Sequence, residues 1–201
     1  MTCVLATNNP GKARELRALF ACGGVELIAL ADLGLAFTPE ETGGTFAANA
    51  AQKALETQAF LRAQGHDFPV LADDSGLCVD ALDGAPGVDS ALYLGADTGF
   101  DVRNAHIISA LAHASRRTAR FVSVAVCALP SGRVLTTTGT LEGVIAREAQ
   151  GTDGFGYDPI FYVPEKGRTL AQLSLDEKNE ISHRGQAMLQ MRQLLEAEAL
   201  A

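Results

Sequence analysis

Short apolar and β-branched runs recur along this chain, at Thr2–Ala6, Val25–Leu30, Val70–Ala72, Leu77–Val79, Phe121–Leu129, Arg133–Thr138 and Ile160–Val163. Bounded by turn residues, such runs read as buried strands. Between the early ones lie stretches with helical grammar. Pro10 suits a first helical position, with Gly23 and Gly24 closing that helix. Thr45 can cap a second helix that carries Ala47 to Gln64 and stops at Gly65. A third covers Asp101–Ser115. A fourth runs from about His183 to Leu200, with Met188, Met191, Leu195 and Ala199 as its apolar stripe. Pro130-Ser131-Gly132, between two apolar runs, predicts a hairpin turn. Strands that alternate with helices early and form a hairpin late predict α/β layering around a mixed sheet. The polar segments 7–12, 41–45, 73–76, 151–158 and 178–184 fall between the periodic elements, where an α/β sheet presents its ligand crevice.

At 201 residues, against roughly 150 per domain, the chain is expected to form one domain or two tightly joined lobes. Hydrophobic residues make up 47% and charged residues 20%, too apolar a balance for a disordered chain. The formal net charge is −8, which argues against clamping nucleic acid or an anionic membrane, since both need a basic face. No apolar run approaches the ~18 residues of a membrane span. The first residues, Met1 to Asn9, lack a basic start and turn polar early, so a cytoplasmic protein is expected. Cys3, Cys22, Cys78 and Cys127 contain no Cys-x-x-Cys pair and are expected to be reduced, mostly core-packed thiols. The four histidines show no zinc-ligand spacing.

Four constellations could carry chemistry. Thr7-Asn8-Asn9-Pro10-Gly11-Lys12 ends a strand and opens a helix with a lysine. Free backbone N–H groups and the positive helix end would suit an anion there, although an ordinary strand–turn–helix fits the same residues. Leu71-Ala72-Asp73-Asp74-Ser75-Gly76 runs from an apolar strand into two carboxylates. Side chains alternate along a strand, so both acids can enter one pocket only if the chain turns there. Glu41, on a glycine-rich loop before a helix, is a third acid. Hard oxygens from these two loops suit Mg²⁺ held jointly with phosphate oxygens. In Gly151-Thr152-Asp153-Gly154-Phe155-Gly156-Tyr157-Asp158, glycines allow close backbone approach, and Phe155 or Tyr157 offers a flat face to a base. Finally, Ser174 and Glu177 form a capping box ahead of Lys178, His183 and Arg184, three donors for phosphate or purine edges.

Together these segments resemble one family, the inosine triphosphatase-like (RdgB-type) pyrophosphatases for non-standard purine nucleoside triphosphates. The resemblance runs from Thr7 to about Gln186. Its most specific strings are Ala72 to Leu77, Gly154 to Phe161 and Glu177 to Gly185. It implies an α/β fold with a long mixed β-sheet flanked by helices, and two lobes with an active-site cleft between them. The whole chain, 1–201, would form that single domain. It implies Mg²⁺-dependent hydrolysis of dITP, ITP and XTP to monophosphate and pyrophosphate, by a homodimer. By the same resemblance, Thr7, Asn8, Asn9, Pro10, Gly11, Lys12 and Lys53 contact substrate phosphates. Glu41 and Asp74 bind the metal, with Asp74 also the general base. Ser75 touches substrate, while Phe155, Gly156, Tyr157, Asp158, Lys178, His183 and Arg184 surround base and sugar.

Three positions depart from the family pattern: Leu92 stands where Arg is common, Ala48 and Gln172 where Glu is common. Rival readings are a Maf-like pyrophosphatase and a nucleotide sensor without turnover; the Phe155 to Asp158 and His183-Arg184 segments disfavour the first, and Glu41, Asp74 and Lys178 the second. Arg184 and His183, as donors, are expected to accept a 6-oxo purine and reject adenine's amino group.

Overall fold

A computed structural model of the chain describes residues 1–21 and 23–200; Cys22 therefore lies outside the described residues. The elements, in order, are β1 (Thr2–Leu5), α1 (Pro10–Phe20), β2 (Glu26–Ala29), α2 (Phe46–Ala63), β3 (Val70–Val79) and α3 (Phe100–Ala110). They continue with β4 (Thr118–Ala128), β5 (Val134–Ile145), β6 (Phe161–Val163), β7 (Arg168–Thr169), α4 (Leu175–Ile181) and α5 (His183–Ala199). The strands form one sheet in the order β2-β1-β3-β4-β5-β6-β7. β1 runs parallel to both β2 and β3, whereas β6 is antiparallel to β5 and β7. The expected mixed α/β sheet is therefore present. No helix among the described residues is long and apolar enough to cross a membrane.

Local caps set most helix ends where the sequence places them. The Asn9 side chain caps α1 with Pro10 in its first turn, and Thr45 caps α2. Ser174 and Glu177 close a reciprocal capping box on α4. Two strand readings need correction. Val70–Ala72 and Leu77–Val79 are not separate strands; β3 is continuous through Asp73 and Asp74. β5 extends to Ile145, well beyond Thr138, because its second half alternates buried and exposed positions rather than forming an apolar run.

The chain divides into two compact units. The first comprises Met1–Asp74, Ser123–Gly139 and Arg184–Ala201; the second comprises Ser75–Val122 and Thr140–His183. In the first, alternation along β1 and β3 builds two apolar layers. Cys3, Leu5 and Leu71 pack with Leu16 and Phe20 of α1 and with Met188, Met191 and Leu195 of α5. Val4, Ala6, Val70 and Ala72 pack on the opposite face with Ala50, Ala54 and Leu61 of α2. The second unit has its own core, built on Leu77, Ile107, Phe121, Tyr157 and Phe161. Cys3 and Cys127 are buried, Cys78 is half-buried, and all three are free thiols.

Candidate active site

The alternation that builds the two layers also disposes of the acid pair. Asp73 follows Leu71 onto the α1/α5 face, where its Oδ2 lies 3.1 Å from Lys12 Nζ and 3.3 Å from Arg184 Nε. Asp74 follows Val70 and Ala72 onto the α2 face, where Oδ1 accepts from Lys53 Nζ at 3.0 Å and Oδ2 from Asn49 at 3.1 Å. No turn is needed, because each carboxylate meets a cation on its own side of the sheet. Lys53 Nζ also lies 3.3 Å from Glu41 Oε1, so one ammonium bridges the two acids expected to hold a metal.

Beside these groups the first unit holds a cavity of about 230 Å³, lined among others by Thr7, Asn8, Asn9, Lys12, Glu41, Lys53 and Asp73. From its lining residues Lys12 and Asp73 a buried chain of alternating charge continues through Arg184 to Glu15, whose Oε2 lies 2.5 Å from Arg184 Nη1. Burial pushes the Asp73 carboxyl up, but Lys12, Arg184 and Lys53 outweigh it and hold it well below the usual range. Burial wins at Asp74, which is raised despite Lys53, Lys12 and Asn49. Lys12 is lowered, first by burial and then by Arg184 and Lys53, with Asp73 opposing. Lys53 is raised: burial works against its charge, and Asp74 and Asp73 more than compensate.

The Glu41 loop is held by the polar face of α2. Asn49 accepts from Gly43 N–H at 2.8 Å while donating to Asp74, and Gln52 and Glu56 accept from the N–H groups of Thr42 and Glu40. Gly43 permits this close approach, since a Cβ there would sit 2.9 Å from Asn49 N. The α1 turn differs from expectation. Its leading N–H groups are not free, because Asn9 Oδ1 accepts from Gly11 and Lys12 at 2.9 and 3.1 Å. Pro10 has no N–H, and Asn8 donates to Thr38 Oγ1 at 3.1 Å. An anion would therefore meet Lys12 and the helix dipole, or else displace the Asn9 cap.

The second unit gathers a different set. Lys178 Nζ donates to Asp158 Oδ2 at 2.7 Å and lies 4.7 Å from the Phe155 ring centroid. The same Asp158 oxygen accepts from Phe155 N–H at 2.8 Å. His183 is buried with its ring stacked on Phe121. Tyr157 is a core side chain: it meets Phe100 edge-on, and its hydroxyl donates to the Ser90 carbonyl at 2.8 Å. Its ring is thus not an open base platform, and Phe155 is the aromatic face left to the loop. Ser75 is half-buried in β3, and Leu92 is 60% exposed on a loop.

The model of the Ham1 family matches residues 3–194, nearly the whole chain. The chain belongs to the Ham1 family. A dITP/XTP pyrophosphatase from an Exiguobacterium species is 48% identical over 200 residues, covering 100% of this chain and 97% of its own. One of the same name from Thermus thermophilus is 48% identical over 199 residues, covering 98% and 91%. A solved HAM1 protein from Coxiella burnetii superposes with a TM-score of 0.85 at 41% identity, over 97% of this chain and 98% of that one. These names agree with the resemblance drawn from the motifs.

In this Ham1-family chain, sequence reasoning missed Glu15 and Asn49. Both lie on helices, where acids and amides ordinarily face water. The available signal was spacing: Glu15 falls one turn after Lys12, and Asn49 one turn before Lys53. Arg184 is only 4% exposed, and its guanidinium is engaged by Glu15 and Asp73, which joins it to the Lys12 group. Glu41 and Asp74 fit a hard divalent ion, because both direct oxygens at the point where Lys53 Nζ sits. Among the described residues no three acidic, histidine or cysteine groups gather for a metal, so substrate oxygens and water would complete its shell.

Proposed function

We propose that this chain hydrolyses non-standard purine nucleoside triphosphates (dITP, ITP, XTP and dXTP) to the monophosphate and pyrophosphate, clearing them before misincorporation into DNA and RNA. The observation that carries this is the first unit's cavity, lined by Lys12, Lys53, Asp73 and Glu41, with Asp74 paired to Lys53. Full-length relatives named dITP/XTP pyrophosphatase support the substrate class.

The charge balance supports reading the reaction as metal-dependent. Lys12, Lys53 and Arg184 face four carboxylates, so the cavity alone does not neutralise a triphosphate of about four charges. Glu41 and Asp74 would hold Mg²⁺, which when bound supplies charge neutralisation at the transferring phosphoryl group. Lys12 and the Thr7 to Gly11 turn take the phosphates; Lys53 leaves its carboxylate bridge to do the same. Asp74, with its carboxyl raised by burial, orients the attacking water and accepts its proton. Ser75 supplies a further polar contact. In the second unit, Phe155, Gly156 and the backbone of Tyr157, with Asp158, Lys178 and His183, take the base and sugar. No side chain forms a covalent intermediate.

The working form is read as a cytoplasmic homodimer of one catalytic domain spanning the chain. Pyrophosphate release across ITP, dITP, XTP, GTP and ATP tests the activity. Release from the first three far above ATP is expected; equal release from all, or none from any, would overturn it.

A further inference from the structure

The glycine loop of the second unit carries Phe155, Tyr157 and Asp158, yet its own backbone is permissive: Gly154 and Gly156 both have positive φ, +76° and +68°. A loop of this kind needs external ties to keep one conformation. Tyr157 is tied through its hydroxyl to Ser90 and through its ring to Phe100, at 5.2 Å and 89°. Asp158 is tied to Lys178. The peptide joining Gly156 to Tyr157 has a separate tie, from a residue no motif singled out. Asn104 on α3, 5% exposed, donates from Nδ2 to the Gly156 carbonyl at 3.1 Å. Beside it, Arg103 donates to the carbonyl of Gly95, another positive-φ glycine, at 2.9 Å.

We infer that Asn104 is a positioning residue for nucleotide recognition, fixing the plane of the Gly156–Tyr157 peptide and with it the Phe155 side of the loop. Asparagine in mid-helix is an indifferent helix former, and at this burial its amide needs a use. The donor has one, in Gly156. The acceptor Oδ1 has no hydrogen-bond partner among the described residues. A buried, unmet acceptor is a cost that a side chain serving only to fill space would not carry. Rotation of a peptide following a positive-φ glycine is cheap, so one well-placed donor decides its direction.

This inference rests on the pyrophosphatase reading, and the test separates the two. Asn104→Asp keeps the shape but removes the donor; Asn104→Ala removes both polar atoms. Losing one such hydrogen bond should raise KM for ITP by about 3- to 10-fold. kcat should stay within about twofold, because the reacting groups lie elsewhere. Amide exchange at Gly156 and Tyr157 should quicken while exchange in β1 and α1 does not. Inosine monophosphate should bind more weakly and inorganic pyrophosphate equally well. If both variants keep wild-type KM and loop exchange, or lose melting temperature with KM and kcat unmoved, Asn104 is structural and the inference falls. A wild-type protein that neither hydrolyses nor binds these nucleotides overturns the functional reading instead. The exchange measurement still reports whether Asn104 holds the loop.

Discussion

Arg184→Ala separates two accounts of the arginine. Read from sequence, Arg184 is a donor for the purine 6-oxo group; in the structure it is the centre of a buried ionic chain. The magnitude follows from its neighbours. Arg184 and Glu15 are each 4% exposed and Asp73 3%, so water does not screen the contacts. Removing one partner of a buried pair typically costs 3–5 kcal/mol, because a charge is left uncompensated. Asp73 keeps Lys12 at 3.1 Å, so the stranded charge is chiefly that of Glu15 and the lower figure, about 3 kcal/mol, is expected. For a chain of this size, that lowers the melting temperature by roughly 6–12 °C. Calorimetry should register this drop, and ITP, XTP, GTP and ATP hydrolysis should fall by a common factor. The double change Glu15→Leu with Arg184→Met should recover most of the stability, since no buried charge is then stranded between them. A melting temperature within a degree of wild type, with a narrowed ITP-to-ATP ratio, would refute this reasoning and restore Arg184 to the base.

Asp74→Asn should reduce turnover by about 10²-fold or more, removing a base and a metal-bound charge, while Asp73→Asn should chiefly weaken phosphate binding by releasing Lys12; the reverse pattern in kcat would exchange their roles. Leu92→Arg should leave the melting temperature unchanged, because the side chain is 60% exposed, and lower KM for triphosphates by about 2- to 10-fold if the loop meets phosphate; an unchanged KM removes position 92 from the substrate. Burial pushes the Tyr157 phenol up to about 12. Below pH about 10 the phenol is neutral in both states; between about 10 and 12 only the unfolded chain ionises, so its contribution to stability is lost through that window. Tyr157→Phe should therefore flatten the alkaline end of the stability profile, and an unaltered profile would count against this assignment.

Helix starts were legible because their causes are local, whereas the third helix ends at Ala110 and not at Ser115. Pro10, Thr45 and the Ser174–Glu177 box act within four residues, and each appears where sequence grammar places it. The acid pair was harder. Two adjacent carboxylates suggest a break in an apolar strand, since burying them unpaired is prohibitive. What lets β3 continue is the arrival of Lys12 and Arg184 on one face and Lys53 on the other, and only tertiary structure supplies that information. Glu15 and Asn49 were hidden for the same reason: in a helix, burial depends on which neighbours arrive. Asn9 was read as part of an open anion cradle, but its own side chain fills that position as the helix cap. Tyr157 shows the complementary limit, because an aromatic ring in a glycine loop serves a ligand or a core equally well until its hydroxyl partner is known.

The placement of Asp73 and Asp74 on opposite faces of β3 makes that strand sensitive to length in a way that point substitution would not reveal. Exchanging Leu71 or Ala72 for another aliphatic residue alters packing on one side only. Inserting a single residue just before Asp73 would put Asp73 in the place of Asp74 beside Lys53 and leave Lys12 and Arg184 facing the inserted residue, whereas deleting one would put Asp74 beside Lys12 and Arg184 and leave Lys53 without a carboxylate from the strand. One ionic cluster would fail in either case, although both aspartates and all three cations were still present. What this strand holds fixed is a count of residues.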